Sequence, residues 1–351
     1  MSWVKTLARP DIVALQAYEH AAWEPGLARL HANELPWRPA GDDSVAGLNH
    51  YPEPQPRELV GRLADLYRVR HDMLLVSRGS DEAIDLLVRA FCRAGEDAVV
   101  VCPPTFGMYA VAARIQGAQV IPVPLRADAG FALDVQRLLE QCTPRVKLIF
   151  LCSPNNPTGN LLAEESILEV ADALAGRALV VLDEAYVEFA ARESLARHIR
   201  QRPQLAVLRT LSKAHGLAGA RLGTLIADPE VIALVGKLIA PYAIAQLTLE
   251  AVLRSLGGSH LQSLRERVLE VRLERERVHR ALARLAGVSE ALPSEANFLL
   301  ARFADPTAAL ARARAARVLV RDARGYPGLG DALRVTLGTP SQNDRLLQAW
   351  S

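Results

Sequence analysis

From residue 74 the chain repeats one pattern: a short apolar run rich in β-branched residues, a Pro, Gly or Asn break, then a longer segment with helical spacing. The runs 74–77, 98–102, 119–125, 146–152, 178–182, 205–208 and 223–227 are expected strands, and 81–92, 108–116, 135–141 and 164–175 expected helices. Continuous apolar strands separated by helices define an α/β fold: a mostly parallel, seven-stranded sheet covered on both faces, because each parallel crossover needs a connecting element. In such sheets ligands bind beyond the carboxyl ends of the strands, so a polar residue just after an apolar run has positional meaning. That rule selects Ser80, Pro103, Asn156, Asp183 and Lys213.

At 351 residues the chain is long enough for two cores. The texture changes after residue 241, where a charged helix over 261–285 precedes two or three strands and further helices. The expected organisation is an N-terminal arm (1–30) joining the small domain, a large domain (31–241) and a small α+β domain (242–351). Arg and Glu alternate along the charged helix, which reads as a solvated, ion-paired surface. A formal charge of +2 gives no reason to expect a nucleic-acid or anionic-membrane partner. Cys92, Cys102, Cys142 and Cys152 form no C-x-x-C pair and sit in apolar runs, as reduced core thiols would. Lys5, Arg9, Pro10 and Asp11 interrupt any leader-like run, and no stretch has the ~18 apolar residues of a membrane span. These features predict a cytoplasmic protein with no metal site.

Four local motifs carry chemistry. In TLSKAHGLAGARLG (210–223), Lys213 follows a strand end, where desolvation favours the neutral amine that attacks an aldehyde. Thr210, Ser212 and Arg221 supply two hydroxyls and a bidentate cation, the groups that hold a phosphate monoester. A lysine beside a phosphate cradle points to a phosphorylated aldehyde. In VVLDEAYVEF (180–189), Asp183 could pair with a protonated pyridine nitrogen and Tyr186 could donate to a ring oxygen, though an N-cap aspartate and a core tyrosine would look the same. In LCSPNNPTGN (151–160), a Pro- and Gly-rich turn presents Asn155 and Asn156, and Asn156 could reach the same oxygen; turn residues alone would also explain it. In SRGSDEAIDLLVRAF (77–91), a helix start offers N–H groups at Gly79, Ser80 and Asp81 to an anion.

S-P-N-N-P-T-G (153–159), D-E-A-Y (183–186) and S-K-x-x-G-L-A-G-x-R-x-G (212–223) together resemble fold-type I pyridoxal-phosphate (PLP) aminotransferases, nearest to the histidinol-phosphate aminotransferase group. HANELPW (31–37), NHYPEPQP (49–56), CPPTFGMY (102–109), LRTLSK (208–213), SEANFLLARF (294–303) and ALRVTLGT (332–339) extend the resemblance over most of the chain. The resemblance implies that Lys213 carries PLP as a Schiff base and shuttles the proton at Cα. It further implies that Asp183 pairs with the ring nitrogen, Asn156 and Tyr186 hold the ring hydroxyl, and Phe106 stacks on the ring. Phe106 stands where tyrosine is usual, and His215 and Ala220 also depart from the commoner residues. Gly79, Ser80, Asp81, Thr210, Ser212 and Arg221 would hold the cofactor phosphate, joined by Tyr51 from a neighbouring subunit, which implies a homodimer with composite sites. Arg334 would bind the anionic end of the substrate, with Arg321, Tyr18 and Asn33 as further contacts. The implied reaction is transamination between L-histidinol phosphate and 2-oxoglutarate, with glutamate and imidazole-acetol phosphate as the other pair. An aromatic amino-acid aminotransferase and a phosphothreonine-type decarboxylase would share the same cofactor motifs. A PLP-sensing regulator would need a DNA-binding domain for which the N-terminal arm is too short.

Overall fold

The computed structural model describes residues 2–22, 24 and 26–351. Seven strands, β1 (Leu74–Ser77), β2 (Ala98–Val101), β3 (Gln119–Pro122), β4 (Val146–Cys152), β5 (Leu179–Asp183), β6 (Leu205–Thr210) and β7 (Gly223–Ile226), form one sheet in the order β1-β7-β6-β5-β4-β2-β3. The strands β3, β2, β4, β5 and β6 run parallel, and β7 lies antiparallel to both β6 and β1. The mostly parallel sheet expected from the apolar runs is therefore present, with an antiparallel strand inserted near one edge.

Both faces of this sheet are covered, and the strand sequences show why. Along β5, Leu179 and Val181 enter one core while Val180 and Leu182 enter the other. Every position of β1, β2, β5, β6 and β7 is buried, because successive side chains of a two-sided strand alternate between two apolar layers. Only β3 is substantially exposed, and it ends in Pro122, which an edge strand tolerates.

A second sheet follows the helix Gly258–Leu282. It comprises β8 (Val288–Ala291), β9 (Phe298–Phe303), β10 (Arg321–Asp322) and β11 (Ala332–Thr336), all antiparallel, in the order β10-β11-β9-β8. It has four strands where two or three were expected, since β10 is two residues long and β8 carries Ser289 and Glu290 instead of an apolar run. The long helix turns its charges mostly to solvent, with one exception. Arg275 is buried, and its Nη1 donates to the carbonyls of Phe189 and Ala296, both at 3.1 Å, tying the two sheets together.

Two segments pack elsewhere than expected. Residues 2–14 bury Val4, Leu7, Ala8 and Ile12 in the helical layer of the large sheet, where the arm was expected to join the small domain. The spacing of these apolar residues makes a stripe that fits beside helix Ser80–Phe91, and Arg9 N–H donates to Ala90 O at 3.0 Å. Helix Gln246–Ser255 likewise packs against helix Arg57–Tyr67 and adds Val252 to the core of the large sheet.

Candidate active site

Because β4, β5 and β6 are parallel neighbours, their carboxyl ends lie side by side, and the polar residues that follow them meet in one cavity of about 310 Å³. Asn156, Asp183, Tyr186, Thr210, Ser212, Lys213 and Arg221 line it with Gly79, Ser80, Asp81 and Phe106, and Arg321, Tyr326 and Arg334 close it from the small sheet.

Asp183 is the last residue of β5 and is 3% exposed. Its Oδ2 accepts from the Tyr109 hydroxyl at 2.8 Å and its Oδ1 from the Ala185 N–H at 3.0 Å. Burial pushes its pKa up to about 6, against the pull of those two hydrogen bonds. The charged form is thus poised to be stabilised by a cation placed in the cavity.

Lys213 follows β6, with its Nζ 5.7 Å from the centroid of the Tyr186 ring. Part of its side chain opens into the cavity, yet loss of water around the amine, followed by the Arg334 cation, holds its pKa below the ordinary lysine value. The Tyr186 hydroxyl accepts from Asn156 Nδ2 at 3.5 Å, and burial raises its pKa. Asn156 in turn accepts from Arg334 Nη1. Asn155, by contrast, is a brace: it accepts from Thr105 Oγ1 at 2.9 Å and donates to Pro104 O at 2.8 Å, fixing the turn to the loop that carries Phe106.

The helix start expected to hold an anion meets β7 and Arg221 by close approach. Gly79 caps helix Ser80–Phe91 with φ of +78°, a left-handed value that suits glycine. A Cβ there would stand 2.7 Å from Arg221 Nη2, and a Cβ on Gly223 would stand 2.4 Å from Ser80 N. Arg221 also reaches Asp81, at 3.4 Å. Thr210 Oγ1 accepts from Ser212 N–H at 3.1 Å and donates to Leu222 O at 3.2 Å, which fixes the hydroxyl-bearing loop beside β7.

On the opposite wall, Arg321 and Arg334 face each other across the β10–β11 pair. Neither has a carboxylate partner among the described residues, and the Arg334 guanidinium lies 5.2 Å from the centroid of the Phe298 ring. Two unneutralised arginines at one end of a cavity make a receptacle for an anion.

Three expected residues lie outside the cavity of their own chain. Tyr18 is exposed, edge-on to His20. Asn33 lines a separate surface depression with Glu34 and His50, and Tyr51 is half exposed and stacked on Tyr242 at 4.6 Å. Conversely, Tyr109, Cys152, Ala185 and Tyr326 border the site or support it without having been singled out. Tyr109 stands within CPPTFGMY, and a buried tyrosine needs a partner for its hydroxyl; Tyr326 sits alone in a Gly- and Pro-rich loop and gives no signal in sequence.

Fold and site together define a PLP-dependent aminotransferase, and comparison agrees: the family profile "Aminotransferase class I and II" matches residues 33–349, so the chain belongs to that family. Within it, the kinship is with proteins named histidinol-phosphate aminotransferase. The one from Stenotrophomonas maltophilia (strain R551-3) is 49% identical over 99% of this chain and 96% of its own length. The structure of histidinol-phosphate aminotransferase from Sinorhizobium meliloti in complex with pyridoxal-5'-phosphate is 26% identical, with a TM-score of 0.78 over 86% of this chain and 82% of that one. L-threonine-O-3-phosphate decarboxylase from Porphyromonas gingivalis is 28% identical, with a TM-score of 0.73 over 86% and 90%. The cofactor is PLP, and the chain's residues fit it: a lysine, a buried carboxylate and a cradle that a single Cβ would fill.

Proposed function

We propose that this chain transfers an amino group between L-histidinol phosphate and 2-oxoglutarate, a step of histidine biosynthesis. The observation that carries the reading is the pair of unneutralised arginines, Arg321 and Arg334, facing Lys213 and Asp183 across one cavity. Kinship with histidinol-phosphate aminotransferases at 49% identity supports the choice of substrate. When bound, the cofactor supplies an electron-accepting ring that makes the substrate's Cα–H acidic. Lys213 would hold the cofactor through Nζ, and the same amine is placed to move the proton at Cα. Asp183 would keep a proton on the ring nitrogen, Asn156 and Tyr186 would hold the ring oxygen, and Phe106 would pack against the ring. The helix start at Gly79–Asp81, with Thr210, Ser212 and Arg221, would bind the cofactor phosphate. Arg334 and Arg321 take the anionic end of either substrate.

The functional unit we infer is a homodimer. Trp37, Leu30, Leu35 and Val45 form an exposed apolar stretch, with Trp37 77% and Leu30 94% exposed, as a surface awaiting a second copy would be. The backbone of Tyr51 is fixed nearby: Glu34 accepts its N–H at 2.6 Å and Arg29 donates to its carbonyl at 3.1 Å, and its ring is half exposed. On this reading Tyr51 reaches the cofactor phosphate of the partner. Four buried free thiols, and no helix among the described residues long and apolar enough to cross a membrane, support a cytoplasmic setting.

The test is turnover and absorbance of the PLP-loaded protein with histidinol phosphate, phenylalanine and O-phosphothreonine in parallel, alongside Lys213→Ala. The expected result is transamination of histidinol phosphate, little of phenylalanine, and loss of both turnover and the lysine-linked absorbance in the variant. Carbon dioxide from O-phosphothreonine, or preference for phenylalanine, would reassign the substrate; full turnover by Lys213→Ala would end the reading altogether.

A further inference from the structure

We propose that Tyr326 is the residue by which the site recognises the imidazole ring of its substrate, an inference that rests on the substrate reading above. The two amino donors that share this cavity both carry an anionic end, and the arginine pair serves either. What separates them is that one has a flat heteroaromatic ring with nitrogen donors and acceptors, and the other an aliphatic chain. Discrimination therefore needs an aromatic wall with a polar tip close to the arginines.

Three aromatic side chains line the cavity. Phe106 has no polar atom, and the Tyr186 hydroxyl is engaged by Asn156. Tyr326 remains. It is half-buried, its ring packs against the main core, and its hydroxyl makes no hydrogen bond to any described residue. It lies in the connection from β10 to β11, so it comes from the same chain segment as Arg321 and Arg334 and lines the same cavity.

That connection is stiff. Tyr326 N–H donates to Ala323 O at 3.1 Å, Leu329 N–H to Tyr326 O at 3.1 Å, and Ala332 N–H to Leu329 O at 3.0 Å. Arg302 pins the far end through Asp331 at 2.6 Å and the Gly328 carbonyl at 3.1 Å. A rigid aromatic plane with an available hydroxyl loses little freedom when a ring docks on it, so the contact contributes to affinity instead of being offset by ordering.

The experiment uses the full-length, PLP-loaded protein and follows the two half-reactions separately in wild type, Tyr326→Phe and Tyr326→Leu. Tyr326→Leu is expected to lower kcat/KM for histidinol phosphate roughly ten- to hundredfold, mainly through KM, while the glutamate half-reaction stays within about threefold. Tyr326→Phe should fall between, isolating the hydroxyl. Inhibition by inorganic phosphate, which can occupy the arginines but has no ring, should be unchanged. Equal losses in both half-reactions, or weaker phosphate inhibition in Tyr326→Leu, would show that the loop had merely been disturbed and overturn the proposal. So would unchanged use of histidinol phosphate. Failure of the wild type itself to react with histidinol phosphate would instead overturn the substrate reading on which the proposal stands.

Discussion

Asp183 is asked to hold a negative charge where its surroundings resist one. Its carboxyl has a folded pKa of about 6 because burial outweighs the Tyr109 and Ala185 hydrogen bonds, whereas an unfolded chain would show a value near ~3.9. The raised value means that the fold favours the protonated group. Its contribution to stability is full below about pH 4 and is lost as pH rises through about 6, at up to ~1.4 kcal/mol per pH unit in that window. Cofactor-free Asp183→Asn should accordingly melt at or above the wild-type temperature at pH 8 and lose that advantage at pH 4, as followed by circular dichroism. Its kcat should fall by on the order of 10²-fold or more, since an amide cannot hold the ring nitrogen's proton. A clearly less stable variant at pH 8 would mean that the two hydrogen bonds to the carboxylate outweigh its desolvation.

At the level of elements, the proposed anion cradle depends on β7 touching the start of helix Ser80–Phe91 through a glycine. Gly223→Ala would push a Cβ to within 2.4 Å of Ser80 N and 2.5 Å of Gly79 C, both backbone atoms that cannot swing aside. Equilibrium dialysis should show PLP bound roughly tenfold more weakly or worse, whereas Gly61→Ala, with no atom within 4 Å, should leave cofactor affinity unchanged. Equal affinity in Gly223→Ala would remove the cradle from the account. This contact also marks the point at which the sequence stops being legible. Asn156, Asp183 and Lys213 were legible because each follows an apolar run, and parallel order alone brings such strand ends together. The cradle's hydroxyls and Arg221 were legible from their place around Lys213. The packing of Gly223 against Ser80 was not, because it joins elements distant in the chain through an antiparallel pairing that no periodicity encodes. Tyr109, Tyr326 and the two-residue strand β10 were hidden for a related reason: single aromatics and two-residue strands carry no repeat, and tertiary packing alone gives them a direction.

Across the whole molecule, the proposed dimer makes a prediction that a self-sufficient chain would not. If Tyr51 serves the partner's site, mixing inactive Lys213→Ala with impaired Tyr51→Asp and allowing subunits to exchange should restore activity toward about a quarter of wild type, because half the dimers would contain one site with neither lesion. Sedimentation of the mixture checks that dimers are present. No recovery in exchanged dimers would place both residues in the same site or leave Tyr51 without a role. The arrangement of the two sheets has another consequence. Groups suited to electron flow sit at the ends of β4, β5 and β6, whereas Arg321, Tyr326 and Arg334 ride on β10, β11 and the short connection between them. On the proposed assignments, reaction type and clientele are written in separate stretches of the gene, and a handful of codon changes in residues 321–334 would redirect the enzyme to a new amine while its chemistry was inherited untouched.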